Sequence, residues 1–168
     1  MNESKSDKKG FRIVCAIIGA IYLIVFVLLY FNRFRSLMSF GTWGQYVGRN
    51  TNLVPFSSVS FYISSLTGGM MNNDIIWRNL FGSLLLFLPM GALLPALFDK
   101  MKRFLPFLLT QLCTIAVLEA MQLFTTTGSF DIDDILLGLV GAVLGWCFYV
   151  FIHRICNRSH AEKAAAEG

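Results

Sequence analysis

Four long apolar runs separated by short polar stretches dominate the pattern of this chain. Ile13 to Phe31, Leu80 to Phe98, Phe104 to Phe124 and Ile135 to Ile152 are almost free of charge over 18 to 21 residues each. An α-helix rises about 1.5 Å per residue, so each run covers roughly 27–32 Å, the thickness of a bilayer's hydrocarbon core. The pattern predicts an all-α integral membrane fold with four transmembrane helices. The sequence after the first run is Asn32-Arg33-Phe34-Arg35-Ser36, not a small-residue cleavage site, so that run is read as a retained helix. The second run contains Gly82, Pro89, Gly91 and Pro95. Proline lacks the N–H that a helix needs, which predicts a kink or break near Pro89.

The stretch between the first two spans, residues 32–78, is rich in aromatics, including Trp43, Tyr46, Phe56, Tyr62 and Trp77. Tryptophan and tyrosine favour the headgroup zone of a membrane. Within it, Val59, Tyr62, Ile63 and Leu66 recur at helical spacing after Pro55. They predict a short amphipathic helix, interfacial or re-entrant, that Thr67-Gly68-Gly69 ends. The expected organisation is a basic tail at 1–12, a membrane domain at 13–153, and a polar tail at 154–168 that is frayed or weakly helical.

Composition removes the soluble alternative. Hydrophobic residues make up 55% and charged residues 14%, where a soluble domain carries about a quarter charged. Mean hydropathy is +0.62. The net charge of +4 is not a nucleic-acid signal, because membrane proteins gather Lys and Arg on cytoplasmic segments. Four spans place both termini on one side. Ten of the 14 Lys and Arg fall there and in the 99–103 loop, leaving Arg33, Arg35, Arg49 and Arg78 opposite. That bias predicts cytoplasmic termini. Cys15, Cys113, Cys147 and Cys156 have no CxxC or Cys/His spacing and read as small apolar side chains. No metal and no cofactor is expected, and His153 and His160 are expected to face solvent.

The candidate chemistry lies in Leu118 to Asp134, which holds Glu119, Asp131, Asp133 and Asp134 of the chain's ten acidic residues. Glu119 and Gln122 are three apart and share a helix face inside the third span. An ionisable group at that depth is costly and is a functional candidate. The other reading is a structural carboxylate bonded between helices. The three aspartates open the fourth span, where one is explained as an N-cap favoured by the helix dipole. Three repel one another, which invites a cationic partner, a ligand or a metal. Arg49, Arg78 and Asn79 are the candidate partners on the same side of the membrane. Gly138, Gly141, Ala142 and Gly145 form small-xxx-small spacings, a surface for close approach of another helix. No Ser-His-Asp, Walker or zinc-protease pattern is present.

Several stretches, in order, resemble one family. They are NLVPF at 52–56, LLFLPMG at 85–91, LEAMQLF at 118–124 and GSFDIDDILLGLVGAVLG at 128–145. The chain is similar, over most of residues 50–150, to the VanZ-like family, named for a glycopeptide-resistance accessory protein linked to teicoplanin. The resemblance implies a bacterial cell-membrane protein whose Glu119, Gln122, Asp131 and Asp134 match family motifs. Ser83 and Gly138 stand where the family usually has asparagine, and many members carry an arginine near Gly128. The first reading is a protein that binds or handles an amphiphilic envelope molecule, an envelope lipid or lipoglycopeptide, at the outer face and lowers susceptibility to teicoplanin. A membrane-embedded acid–base enzyme acting on an envelope lipid or antibiotic is the second. A scaffold that recruits a helix partner through the glycine surface is the third.

Overall fold

The structure, a computed structural model, describes residues 3–31, 42–69 and 72–166, with side chains for 10, 12–30, 42–69 and 72–156. Arg33, Arg35 and the His160 side chain lie outside the described residues. In chain order the elements are α1 (Glu3–Phe31), α2 (Trp43–Arg49), β1 (Thr51–Asn52), α3 (Ser57–Gly68), α4 (Asn73–Leu97), a 3-10 turn (Asp99–Lys102), α5 (Phe104–Phe124), β2 (Phe130–Asp131) and α6 (Ile132–Ala166). Among the described residues, four helical segments are long and apolar enough to cross a membrane: Arg12–Tyr30, Asn73–Leu97, Phe104–Phe124 and Ile132–Cys156. The expected four-span helical membrane fold is therefore present, with the expected extra helix as α3.

The helix ends differ from the apolar runs. α1 already begins at Glu3 and α6 continues to Ala166, so the described parts of both expected tails are helical. Apolarity marks the part of a helix that sits in lipid, not where its hydrogen bonds stop, and the alanine-rich end of α6 has high helix propensity. α4 starts at Asn73, with the Asn72 side chain accepting from the Asp74 N–H at 3.0 Å, so Arg78 and Asn79 are inside a helix. It also runs as one helix through Pro89 and Pro95, so of the expected kink or break there is no break. Neighbouring helices support the proline turn: the Tyr22 hydroxyl of α1 donates to the Leu86 carbonyl, and α6 packs along the other side.

The tightest seam joins α4 and α6, which run parallel. A Cβ on Gly141 would lie 2.1 Å from the Leu84 carbonyl oxygen, and one on Gly145 2.0 Å from that of Leu88. One on Gly91 would lie 2.0 Å from the carbonyl oxygen of Ala142. Lipid tails are as apolar as side chains, so helices associate in a bilayer through contact of this closeness rather than through hydrophobic exclusion. The small-residue stripe of Gly138, Gly141, Ala142 and Gly145 is thus covered by α4 of the same chain. Gly138 makes room for the Phe87 ring, whose nearest carbon would be 2.8 Å from a Cβ there. Phe87 meets Phe26 edge-on at 5.2 Å and Tyr30 at 6.0 Å, which ties α1 to the same core.

The two ends of the bundle are closed differently. At the 3-10 turn, Asp99 pairs with Arg12 and, at 2.7 Å, with Lys102, and the Trp146 indole donates to the Met101 carbonyl at 2.9 Å. At the opposite end, β1 and β2 form a two-residue parallel bridge that pairs Thr51 with Phe130 and Asn52 with Asp131. Neither the bridge nor α2 is foreshadowed in the hydrophobic pattern, since elements of two and seven residues are too short to show a period.

Candidate functional site

Asn52 organises the site from the β1 side. Its side-chain oxygen Oδ1 accepts the Val54 N–H at 3.2 Å, a local turn that directs the chain into Pro55. Its amide nitrogen lies 2.7 Å from the Ser57 hydroxyl, 2.9 Å from that of Ser58 and 3.2 Å from the Asp131 carboxylate. Phe56 then adopts a left-handed backbone, φ 62° and ψ 6°, with no side-chain cap of its own. That conformation is unfavourable for a bulky residue by about 1–2 kcal/mol.

The cap for α3 comes from another helix. One oxygen of Asp133 accepts the Phe56 N–H at 2.6 Å, and the other accepts those of Ser58 at 2.8 Å and Val59 at 3.1 Å. Asp133 is 2% exposed, so these amide bonds take the place of water. A helix N-terminus attracts negative charge through its unpaired N–H groups and dipole. Asp131 performs the same task locally, with one oxygen accepting the Asp133 N–H at 2.9 Å while the other accepts the Ser58 hydroxyl. The sequence explains one aspartate as an N-cap and leaves the other two as a repelling excess. The structure divides them by engaging Asp131 and Asp133 with separate donors.

Glu119, Gln122 and Asp134 lie on the interhelical side. Glu119 is fully buried and accepts the Tyr30 hydroxyl at 2.7 Å. Gln122 donates its amide to the Tyr30 carbonyl at 3.1 Å, and its backbone carbonyl accepts the Thr127 and Gly128 N–H groups. Gly128 packs on that side chain, where a Cβ would be 2.7 Å from the amide oxygen. Asp134 accepts the hydroxyl of buried Ser83 at 3.0 Å. α5 and α6 are antiparallel, with Phe107 against Trp146 and Ile115 beside Gly138. The same register carried one turn further puts Glu119 level with Asp134. Tyr30 with Glu119, and Ser83 with Asp134, thus form one polar layer inside the membrane domain. Ser83 keeps a donor on Asp134 at a position where asparagine was expected.

The hydrogen bonds just described come from Tyr30, Asn52, Ser58, Ser83 and backbone N–H groups. Arg49 is exposed in the last turn of α2 and makes no ion pair among the described residues. Arg78 is exposed on α4, and Asn79 beside it is half-buried. Among the described residues, no three His, Cys, Asp or Glu side chains are grouped to hold a metal ion. Sequence reasoning missed Tyr30, Ser58, Ser83 and Asn52 as partners. Tyr30 closes an apolar run with the only hydroxyl near its end, and Asn52 leads a turn-forming Asn-Leu-Val-Pro; both signals were available.

α3 has an inverted amphipathic character. Ser65 is fully buried toward the protein, while Phe61 and Ile63 are about half exposed. In a membrane, small polar residues serve helix contacts and apolar ones face lipid. On the side of α3 away from Ser58 and Ser65 lies an open groove of about 400 Å³, lined among the described residues by Phe56, Val59, Ser60, Ile63, Ser64 and Thr67.

A family model described as VanZ/LLP1 matches residues 15–153 of the chain. No curated protein and no solved structure matches it.

Proposed function

The chain belongs to the VanZ/LLP1 family, and from that membership we propose that this multi-pass membrane protein binds an amphiphilic molecule of the bacterial cell envelope along α3, lowering susceptibility to teicoplanin. One observation carries the reading. Phe56, 66% exposed and left-handed, stands at the mouth of the α3 groove, and buried Asp133 holds it there. Strain of this kind persists only where the surroundings over-determine it, and it gathers at ligand clamps. A groove of about 400 Å³ is within the range of small-molecule sites. In this reading the α3 end faces outward and both termini are cytoplasmic, in keeping with the Lys and Arg bias. Asp131 and Asp133 position α3, while Glu119, Gln122 and Asp134 brace the helices beneath it.

The test is susceptibility of a sensitive host that makes the protein. Wild type raises the inhibitory concentration of teicoplanin and leaves that of a glycopeptide without a lipid tail unchanged. Phe56→Ala and Ile63→Trp, both at exposed positions, remove the effect at equal expression. A well-expressed wild type that shifts neither drug ends the resistance reading.

A second reading, acid–base chemistry on an envelope lipid, is favoured by the polar layer in which buried Glu119 and half-buried Asp134 are level. Carboxylates in different surroundings divide into acid and base. Purified protein incubated with undecaprenyl lipids then yields a product of altered mass that Glu119→Gln does not form. No product with either protein removes this reading.

A further inference from the structure

The groove on α3 carries information about its ligand beyond amphiphilicity, and the inference below rests on the amphiphile-binding reading. Two stripes run along it. Phe56, Val59 and Ile63 form an apolar edge, and Ser60, Ser64 and Thr67 a hydroxyl edge. The hydroxyl hydrogens of two of these are already spent within the helix. Ser64 donates to the Phe61 carbonyl and Thr67 to the Ser64 carbonyl, each at 2.9 Å. What Ser64 and Thr67 have left are oxygen lone pairs, so toward a ligand they are acceptors.

The usual anion site of such a helix is also taken. A phosphate would bind the free N–H groups at the N-terminus, but those of Phe56, Ser58 and Val59 all point to Asp133. Asp131 stands beside it on the Ser58 hydroxyl. The Phe56 end of the groove therefore offers no vacant positive pole to a ligand, because its N–H groups are held by the buried Asp133. Acceptors along one edge and occupied N–H groups at the end give an anionic headgroup no hold and favour one rich in O–H donors.

We propose that the α3 groove selects a lipid with an uncharged sugar headgroup, whose hydroxyls donate to Ser64 and Thr67 while its acyl chain lies on Phe56, Val59 and Ile63. Such a glycolipid is favoured over a phospholipid of the same chains.

The experiment uses the full chain, purified in detergent, with an equimolar mixture of diglucosyl diacylglycerol, phosphatidylglycerol and phosphatidylcholine of matched acyl chains. Retained lipid is read by native mass spectrometry. Wild type retains the glucosyl lipid over the other two. Ser64→Ala with Thr67→Ala lowers that preference by roughly threefold to tenfold for each acceptor lost, with total retained lipid unchanged. Ile63→Trp, at a 54% exposed position, displaces all three lipids. Equal retention of the three lipids by wild type, with loss in Ile63→Trp, overturns the sugar preference and leaves the amphiphile groove standing. Preference for phosphatidylglycerol overturns it likewise. Retention that Ile63→Trp does not alter overturns the groove reading itself, and the sugar preference with it.

Discussion

Asp133 and Asp99 are both single carboxylates that tie elements together at opposite ends of the bundle, and they do so in different media. Asp133 is buried and satisfied by three backbone N–H groups of a remote helix. Asp99 is exposed and satisfied by two flexible cations, Lys102 and Arg12. A buried acceptor that disappears leaves its donors without water to replace it, whereas an exposed one is exchanged for solvent. The difference teaches that the acid-rich end is assembled by hydrogen bonding and the basic end is only trimmed by charge.

Removing Asp133 is the strongest way to break that contrast. Asp133→Ala strands three N–H groups and releases the strained Phe56, and docking of α3 weakens by roughly 3–5 kcal/mol. Hydrogen exchange at residues 56–59 should accelerate. A cysteine placed at buried Ser65 should become open to a thiol reagent in the Asp133→Ala background and not in the wild type. Unchanged protection at 56–59 would show that α3 is held by something other than its cap. Tyr30→Phe comes next. It deletes the 2.7 Å bond to buried Glu119, at a cost of about 1–3 kcal/mol, read as a lower melting temperature in detergent. A melt equal to wild type would remove the Tyr30–Glu119 bond from the account of the polar layer.

These two residues also mark how far the sequence is legible. The four spans announce themselves because lipid demands long unbroken apolarity, and the glycines at 141 and 145 announce a close seam because small residues at that spacing do little else. Glu119 is conspicuous for the opposite reason, a carboxylate where solvation is poor. What remains hidden is pairing at a distance. Asp133 reads as a cap for the helix it opens, and nothing local says that it caps α3, 74 to 77 residues earlier in the chain. Ser83 and Tyr30 look like ordinary members of apolar runs until the α4–α6 and α1–α5 contacts bring carboxylates to them. Local pattern reports the solvent of a segment; tertiary contact decides the partner of a side chain.

A smaller effect, of opposite sign, sharpens the point. Phe56→Gly removes the Cβ clash at φ 62° and should stabilise the docked α3 by on the order of 1 kcal/mol, while abolishing the effect on teicoplanin. Gain of stability with loss of function would separate strain from scaffold at one residue. A loss of stability would instead mean that the Phe56 ring, though exposed, is part of what seats α3.

The smallest change is expected at Asp99. Lys102 and Arg12 hold its carboxyl at about 2, below the ordinary 3.8. A carboxyl lowered by folding contributes stability that is whole above 3.8 and disappears as pH falls through about 2. Nothing should therefore be seen between pH 5 and 8, where Asp99 is ionised in folded and unfolded chains alike. Asp99→Asn should lower the neutral-pH melt only slightly, because water and salt take over most of what an exposed ion pair contributes. It should flatten the acid limb of the stability profile, so that the two proteins converge at low pH, and added salt should shrink the small neutral-pH difference. Melting curves of wild type and Asp99→Asn at pH 7 and across the acid range, at low and high salt, decide it. A neutral-pH loss as large as that of Asp133→Ala would mean that the ion pairs at the 3-10 turn hold the bundle as firmly as the buried cap does, and the contrast between the two ends would fail.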